Sequence, residues 1–253
     1  MGILALPRRS RKGRVRVESS FRRLPARYPL SPVHLSRFPL VRRRECLVPT
    51  WRGWLAILLV IALAAFAGVR GLLPFLAVHD PAPGGVLIVE GWMPDYALAQ
   101  VIEEFRREKY SALIASGTPL EKGAVLAEYQ SYAELTAASL RKLGADPATV
   151  HAVPAAAVRQ DRTYAAALAV KAWLRENGLP DARLNLVSLG AHSRRSRLLY
   201  EKAFGPGVRV GIIPLEDREF DPRQWWRSSA GFRMVTGEVI AYFYARFLFR
   251  PSA

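Results

Sequence analysis

Residues 189–200 read LGAHSRRSRLLY, so His192, Arg194, Arg195 and Arg197 follow directly on the apolar run Leu184, Asn185, Leu186, Val187, Ser188. One histidine and three arginines thus stand where a strand hands over to a helix. The first turn of a helix already carries partial positive charge from its unpaired N–H groups. Further cations there oppose the dipole unless something negative completes the site. A phosphate or carboxylate held by those N–H groups, His192 and Arg195 would reverse the sign of the local energetics. Helical spacing separates the arginines. Leu198 and Leu199 mark the inward stripe, and Arg195 lies on the same face, whereas Arg197 can reach Glu201 at i+4. Arg195 is the one aimed at the sheet edge beside His192; Arg194 and Arg197 read as solvated charges.

Chemistry of this kind needs elements that gather residues from several parts of the chain. Short apolar runs at 86–89, 112–115, 150–153, 184–189 and 208–213 read as strands. Their continuous rather than alternating hydrophobicity implies burial on both faces, hence a parallel sheet. Helical stretches lie between them at 96–108, 128–143, 163–177 and 194–204, with a last one at 232–249. Asp95 is expected to cap the first helix, Gly144 to close the second and Gly178 the third. The expected fold is α/β, a doubly wound, mainly parallel five-stranded Rossmann-like sheet.

Ligands of open α/β sheets bind beyond the carboxyl ends of the strands. The polar residues there are Glu90 and Gly91 before Trp92, the triplet Ser116, Gly117 and Thr118, Asp161 and Thr163 before the third helix, and His192 with Arg195. Each also has a structural reading. Glu90 can pair with an arginine, Ser-Gly-Thr can be a turn, Asp161 and Thr163 can be N-caps, and His192 can be a satisfied core histidine. No metal constellation stands out, although Glu90 and Asp161 could share Mg²⁺. The sequence names no cofactor. The turn after the first strand, EGWMPD, lacks Gly-x-Gly-x-x-Gly and sets Trp92 and Pro94 where a pyrophosphate needs bare backbone, which argues against a nucleotide or S-adenosylmethionine binder.

The formal charge of +16 is concentrated in residues 1–52, which carry fourteen Lys and Arg against only Glu18 and Glu45. The remainder is only mildly basic, so the charge is poor grounds for nucleic-acid binding, and none is expected. Prolines at 7, 25, 29, 32, 39 and 49 break any period in residues 1–50, which read as a disordered basic tail. An apolar stretch follows, WLAILLVIALAAFAGV at 54–69, continued past Arg70 by GLLPFLAV. With Arg70 snorkelling, residues 51–78 are long enough for a transmembrane anchor. A buried core helix would show a polar face, and none is visible. A cleaved signal peptide would use Ala65–Phe66–Ala67, but the basic region before it is too long. The excess of arginine before the stretch places the N-terminus in the cytoplasm and the domain at 84–250 outside it. The lone cysteine, Cys46, excludes an intrachain disulfide.

The order of these motifs resembles the ElyC/SanA/YdcF family (domain of unknown function 218). Gly190, Ala191, His192, Ser193, Arg194 and Arg195 after their strand are similar to its Thr-Ser-x-x-His-x-x-Arg element, and Ser116-Gly117 to its Ser-Gly-Gly. Gln160 to Tyr164 fall where the family has Ser-x-Asn-Thr-x-Glu-Asn, with Ala165 and Ala166 replacing the Glu-Asn. The resemblance covers about residues 84–215. It implies a Rossmann-like domain in the bacterial envelope, often membrane-anchored, with a part in peptidoglycan or surface-polysaccharide metabolism. On this reading the protein sits in the inner (plasma) membrane and acts on a phosphorylated, lipid-linked glycan intermediate, cleaving a phosphoester or phosphoanhydride. His192 is the general acid/base and Arg195 the phosphate clamp; Glu90 or Asp161 supplies the carboxylate, and Ser116 and Thr118 bind oxygens. The alternative is a non-catalytic assembly or regulatory factor sensing an anion in the same pocket, a reading that Ala165-Ala166 favours.

Overall fold

Val86, Leu87, Ile88 and Val89 are all fully buried. Their side chains alternate between two apolar clusters, Leu87 and Val89 entering one, Val86 and Ile88 the other. That is the signature of a strand covered on both faces. The computed structural model describes residues 46–121 and 128–251. It builds five such strands, β1 (Gly85–Glu90), β2 (Tyr110–Gly117), β3 (Val150–Pro154), β4 (Leu184–Leu189) and β5 (Val210–Leu215). All pair in parallel, in the order β3-β2-β1-β4-β5. The crossover from β3 to β4 reverses the direction of winding between β1 and β4, which opens a crevice at the carboxyl ends of those two strands.

Helices cover both faces, so the sheet is doubly wound. Helices α2 (Asp95–Arg107) and α3 (Tyr132–Lys142) pack on the Leu87 side, α4 (Arg162–Glu176) and α5 (Ser193–Phe204) on the Ile88 side. A further helix, α6 (Ser229–Phe243), continues into a π-helical turn at Tyr244–Leu248. Before the sheet stands α1 (Trp51–Leu76), which among the described residues is the helix long and apolar enough to cross a membrane. Its apolar window is wholly unburied, so it is not a core helix. Only its last turns meet the domain. There Leu73 and Leu76 are buried with Phe220, Trp225 and Val235 in a separate cluster.

Several expectations shift. Asp95 does not cap α2: it is the first helical residue, Pro94 precedes it, and no side chain caps that end. The second helix starts at Tyr132 rather than 128, because Ser131 and Glu134 form a reciprocal capping box that fixes the start. The last strand runs two residues later than expected, since Asp80 pairs with Ile212 and draws Val210–Leu215 into register with β4. The final helix keeps α-geometry only to Phe243. Lys202 Nζ then donates to the carbonyls of Ala245 (2.6 Å) and Phe249 (3.0 Å), which holds the wider turn. Gly144 and Gly178 do follow their helices, with φ of 95° and 73°. The disorder expected of the tail falls largely on residues 1–45, outside those described.

Candidate functional site

Glu90, the last residue of β1, points its carboxylate into the crevice and is buried to 5% exposure. Ionised, such a group needs partners. The Ser188 hydroxyl of β4 donates to one oxygen and the Ser196 hydroxyl of α5 to the other, the latter at 2.8 Å. Across from it stands His192, set by the 3-10 turn Gly190–His192 that joins β4 to α5. The imidazole Nε2 lies 3.4 Å from Glu90 Oε1, near enough for charge attraction, and makes no hydrogen bond of its own. On its other side Nδ1 lies 2.9 Å from Glu238 Oε1, to which it donates when protonated, and also 2.9 Å from Arg195 Nη2, whose charge opposes that of the imidazolium. Glu238 comes from α6 and also takes the Arg195 fork, Nε to Oε2 at 2.8 Å and Nη2 to Oε1 at 3.0 Å.

Four buried or half-buried charges therefore alternate in sign: Glu90, His192, Glu238, Arg195. Burial pushes the imidazole toward neutrality, but the Glu90 charge and the bond to Glu238 outweigh it and raise His192 to about 9. At neutral pH it is an imidazolium. Burial likewise opposes ionisation of Glu238, and the bonds from His192 and Arg195 reverse this, lowering it to about 2. Burial acts on Glu90 in the same sense; the His192 charge and the two serine hydroxyls hold it below the usual carboxylate range. The cluster is neutral as a whole, which lets an interior accept four charges.

This corrects the role given to the arginines. The counter-ion that the helix N-terminus calls for is the chain's own Glu238, not an external anion alone. Arg195, expected to clamp a phosphate, has its planar fork engaged by that carboxylate. Arg194 donates to the Phe75 carbonyl and lies 4.1 Å over the Phe75 ring, at the end of α1. Arg197 pairs with Glu201 and with Asp80, each at 3.0 Å.

The crevice opens into a cavity of about 570 Å³. Glu90, Ser116, Gly117, Thr118, Asp161, Thr163, His192 and Arg195 all line it, from four separate stretches of chain. Gly91 does not. A Cβ there would meet the Tyr132 carbonyl carbon and oxygen at 2.7 Å, and its own carbonyl accepts from Thr136 at 2.8 Å, so it is a packing contact for α3. A Cβ on Gly117 would likewise meet the Tyr132 Cβ at 2.8 Å. Trp92 closes over the imidazole edge-on, ring centroids 5.0 Å apart. The Ser116 hydroxyl donates to the Ala166 carbonyl at 3.3 Å. Thr118, 7% exposed, has no side-chain hydrogen bond among the described residues.

The N-terminus of α4 forms the opposite wall. Asp161 is in the left-handed region, φ 58° and ψ 35°, and its side chain does not cap the helix. The first intrahelical bond runs from Ala165 N to Asp161 O, so the N–H groups of Arg162, Thr163 and Tyr164 have no partner among the described residues. Gln160, Asp161, Arg162 and Thr163 border the cavity, and Arg162 pairs with Glu121 at its rim. Asp161 and Thr163 thus do not act as capping side chains. The remaining wall is apolar, with Leu199, Met234, Tyr244 and Phe249 among it. Among the described residues no group of three His, Cys, Asp or Glu side chains is placed to hold a metal, and Glu90, read as able to share Mg²⁺ with Asp161, has both oxygens engaged by serines.

No protein-family model matches the chain, and no curated protein matches it. The likeness to the ElyC/SanA/YdcF family rests on the motifs quoted above.

Sequence reasoning missed Glu238, Ser188 and Ser196. Glu238 is a lone acid in an aromatic, apolar helix, a pattern that marks a buried ionised group with a partner elsewhere. The serines are harder to see: Ser188 sits inside an apolar strand and Ser196 among arginines.

Proposed function

We propose that the chain is a membrane-anchored protein of the bacterial envelope, related to the ElyC/SanA/YdcF family, whose cavity binds and hydrolyses a phosphorylated glycan intermediate. The observation that carries this reading is the pairing, across one cavity, of an imidazolium with a free-ended helix. A phosphoryl group docks at the N-terminus of α4, on the N–H groups of Arg162 to Tyr164, with Thr163, Thr118 and Arg162 around it. His192 faces it from the other wall.

In this arrangement His192 is the general acid. Held as an imidazolium by Glu90 and Glu238, with Nε2 buried 3.4 Å from Glu90 Oε1, the ring turns out of that contact to give its Nε2 proton to the leaving oxygen as the P–O bond breaks. Asp161, at the helix start, takes a proton from the water that adds to phosphorus. Glu90 orients the imidazole rather than acting as base, since its oxygens are held by two serines. Arg195 orients Glu238.

The test is phosphate release by the full chain in detergent from a panel of polyprenyl phosphates and nucleotide sugars, wild type against His192→Gln. Loss of about 10²-fold or more in the variant, with the fold retained, supports the assignment. A second reading has its own support, because the four charges are mutually neutralised and Ala165-Ala166 leaves the α4 wall without a second acid. On that reading the site senses an anion, and inorganic phosphate binds while no compound in the panel is turned over. The excess of arginine before α1 supports a cytoplasmic N-terminus with the domain on the other side, and the likeness to the envelope family supports the plasma membrane.

A further inference from the structure

Residues 51–68 of α1 are exposed, Gly53 alone among them being half-buried. At 1.5 Å per residue they span about 27 Å, close to the roughly 30 Å of a bilayer's hydrocarbon core. Contact with the domain begins at Val69, and Arg70 lies over the Trp226 ring at 5.6 Å. An arginine and a tryptophan meeting there mark the level at which the span leaves the hydrocarbon.

Helix α6 packs on this emerging end. Val235, Val239 and Tyr242 face Leu72, Leu73 and Leu76, and Phe75 meets Tyr242 edge-on at 5.5 Å. The opposite face of α6 is uncovered. Ile240, Phe243 and Phe247 recur at i, i+3 and i+7, joined by Tyr244 and Leu248. Exposure reaches 71% at Ile240, 68% at Phe247 and 70% at Leu248. Ile240, Phe243, Phe247 and Leu248 enter none of the buried apolar clusters. Arg246 and Arg250 flank the stripe, both exposed. An apolar face of this size with a basic border fits the headgroup–acyl boundary of a membrane.

We infer that the outer face of α6 and its π-turn is a second membrane contact, seated in the leaflet from which α1 emerges. The occupant is lipid because the stripe joins the end of the span through the ring chain Phe75, Tyr242, Phe243 and Phe247, at 5.5, 5.7 and 6.0 Å, and its border is cationic, as anionic headgroups require. The inner face of the same helix supplies Met234, Glu238 and Ala245 to the cavity wall, and Tyr244 belongs both to the wall and to the exposed stripe. The cavity mouth therefore opens at the bilayer surface. This deepens the proposed function, since a phosphorylated amphiphile reaches such a mouth without leaving its leaflet.

The test uses the full chain with Cys46→Ser, in nanodiscs containing anionic lipid, carrying one environment-sensitive fluorophore on a single new cysteine. Leu58→Cys reports the span, Ile240→Cys and Phe247→Cys the stripe, and Leu135→Cys an exposed site on α3. The expected result is blue-shifted emission at 240 and 247, quenched by doxyl-labelled lipid and protected from aqueous iodide, with the reverse at 135. Iodide quenching at both stripe positions overturns the inference. So does a blue shift without doxyl quenching, the result for a second copy of the chain covering the stripe. The probe at 58 separates the causes: doxyl quenching there with none at 240 and 247 removes the second contact and leaves the anchor standing. Phosphate release, read in parallel, bears on the cavity chemistry and not on this contact.

Discussion

At the scale of single residues, His192 and Glu238 set how the protein responds to pH. In the unfolded chain they titrate near 6.5 and 4.5; in the fold they lie at about 9 and about 2. A raised cationic group stabilises the fold in full below 6.5 and loses that contribution as pH climbs through about 9. A depressed carboxyl stabilises in full above 4.5 and loses its contribution as pH falls through about 2. Both are complete between 4.5 and 6.5, so the Tm of the detergent-solubilised chain is highest there and declines on either side. NMR titration of the imidazole is the direct check. Glu90→Gln lowers the His192 pKa more than Glu238→Gln does, because the Glu90 charge is the larger of the two raising influences. An imidazole that titrates at its ordinary value in wild type contradicts the network.

At the scale of elements, the α4 start carries a strained residue that no capping bond offsets. A residue with a Cβ in the left-handed region costs about 1–2 kcal/mol, somewhat less for aspartate, and Asp161 gains no capping bond in return. Asp161→Gly removes that strain while deleting the carboxylate. It is expected to raise stability by up to about 1 kcal/mol, or roughly 2–4 °C in Tm. Phosphate release, on the proposed mechanism, falls in the same variant. Thermal melts and turnover measured together on one preparation check this, and a variant less stable than wild type removes the strain argument.

At the scale of the molecule, the site is closed from outside the sheet. Glu238 is held in place by α6, and α6 rests on the end of α1 through Leu73 and Leu76. Helix α1 and the cavity thus share one packing unit. Leu76→Ala empties part of that unit, and a fully buried leucine lost in this way costs about 2–5 kcal/mol. The expected outcome is a lower Tm together with weaker phosphate binding, because α6 carries one wall of the cavity. Phosphate affinity unchanged at a lowered Tm would mean that α1 and the site are packed independently.

How much of this was legible depends on how local the physics is. The alternation of buried strands and amphipathic helices, and the long apolar helix ahead of them, follow from periodicity and composition. Those act over a few residues and leave a pattern wherever they act. Glu90, Ser116, Thr118, Asp161 and His192 were readable as one group because a parallel sheet brings its strand ends to one edge whatever their order. The capping box at Ser131 and Glu134 was also present in the sequence, hidden only because the helix was started four residues too early. What the chain does with its charges was not readable. Arg195 looks like a ligand for an outside anion until Glu238, forty-three residues on, arrives from another helix. Ion pairing and burial depend on distance through space and on the exclusion of water, and neither has a period along the chain. The sequence by itself determined the layers, the helix long and apolar enough to cross a membrane, and the sheet edge where the polar strand ends gather. Tertiary packing alone decided which cations are already satisfied, that His192 is charged, and that the cavity shares a helix with the C-terminal end of α1.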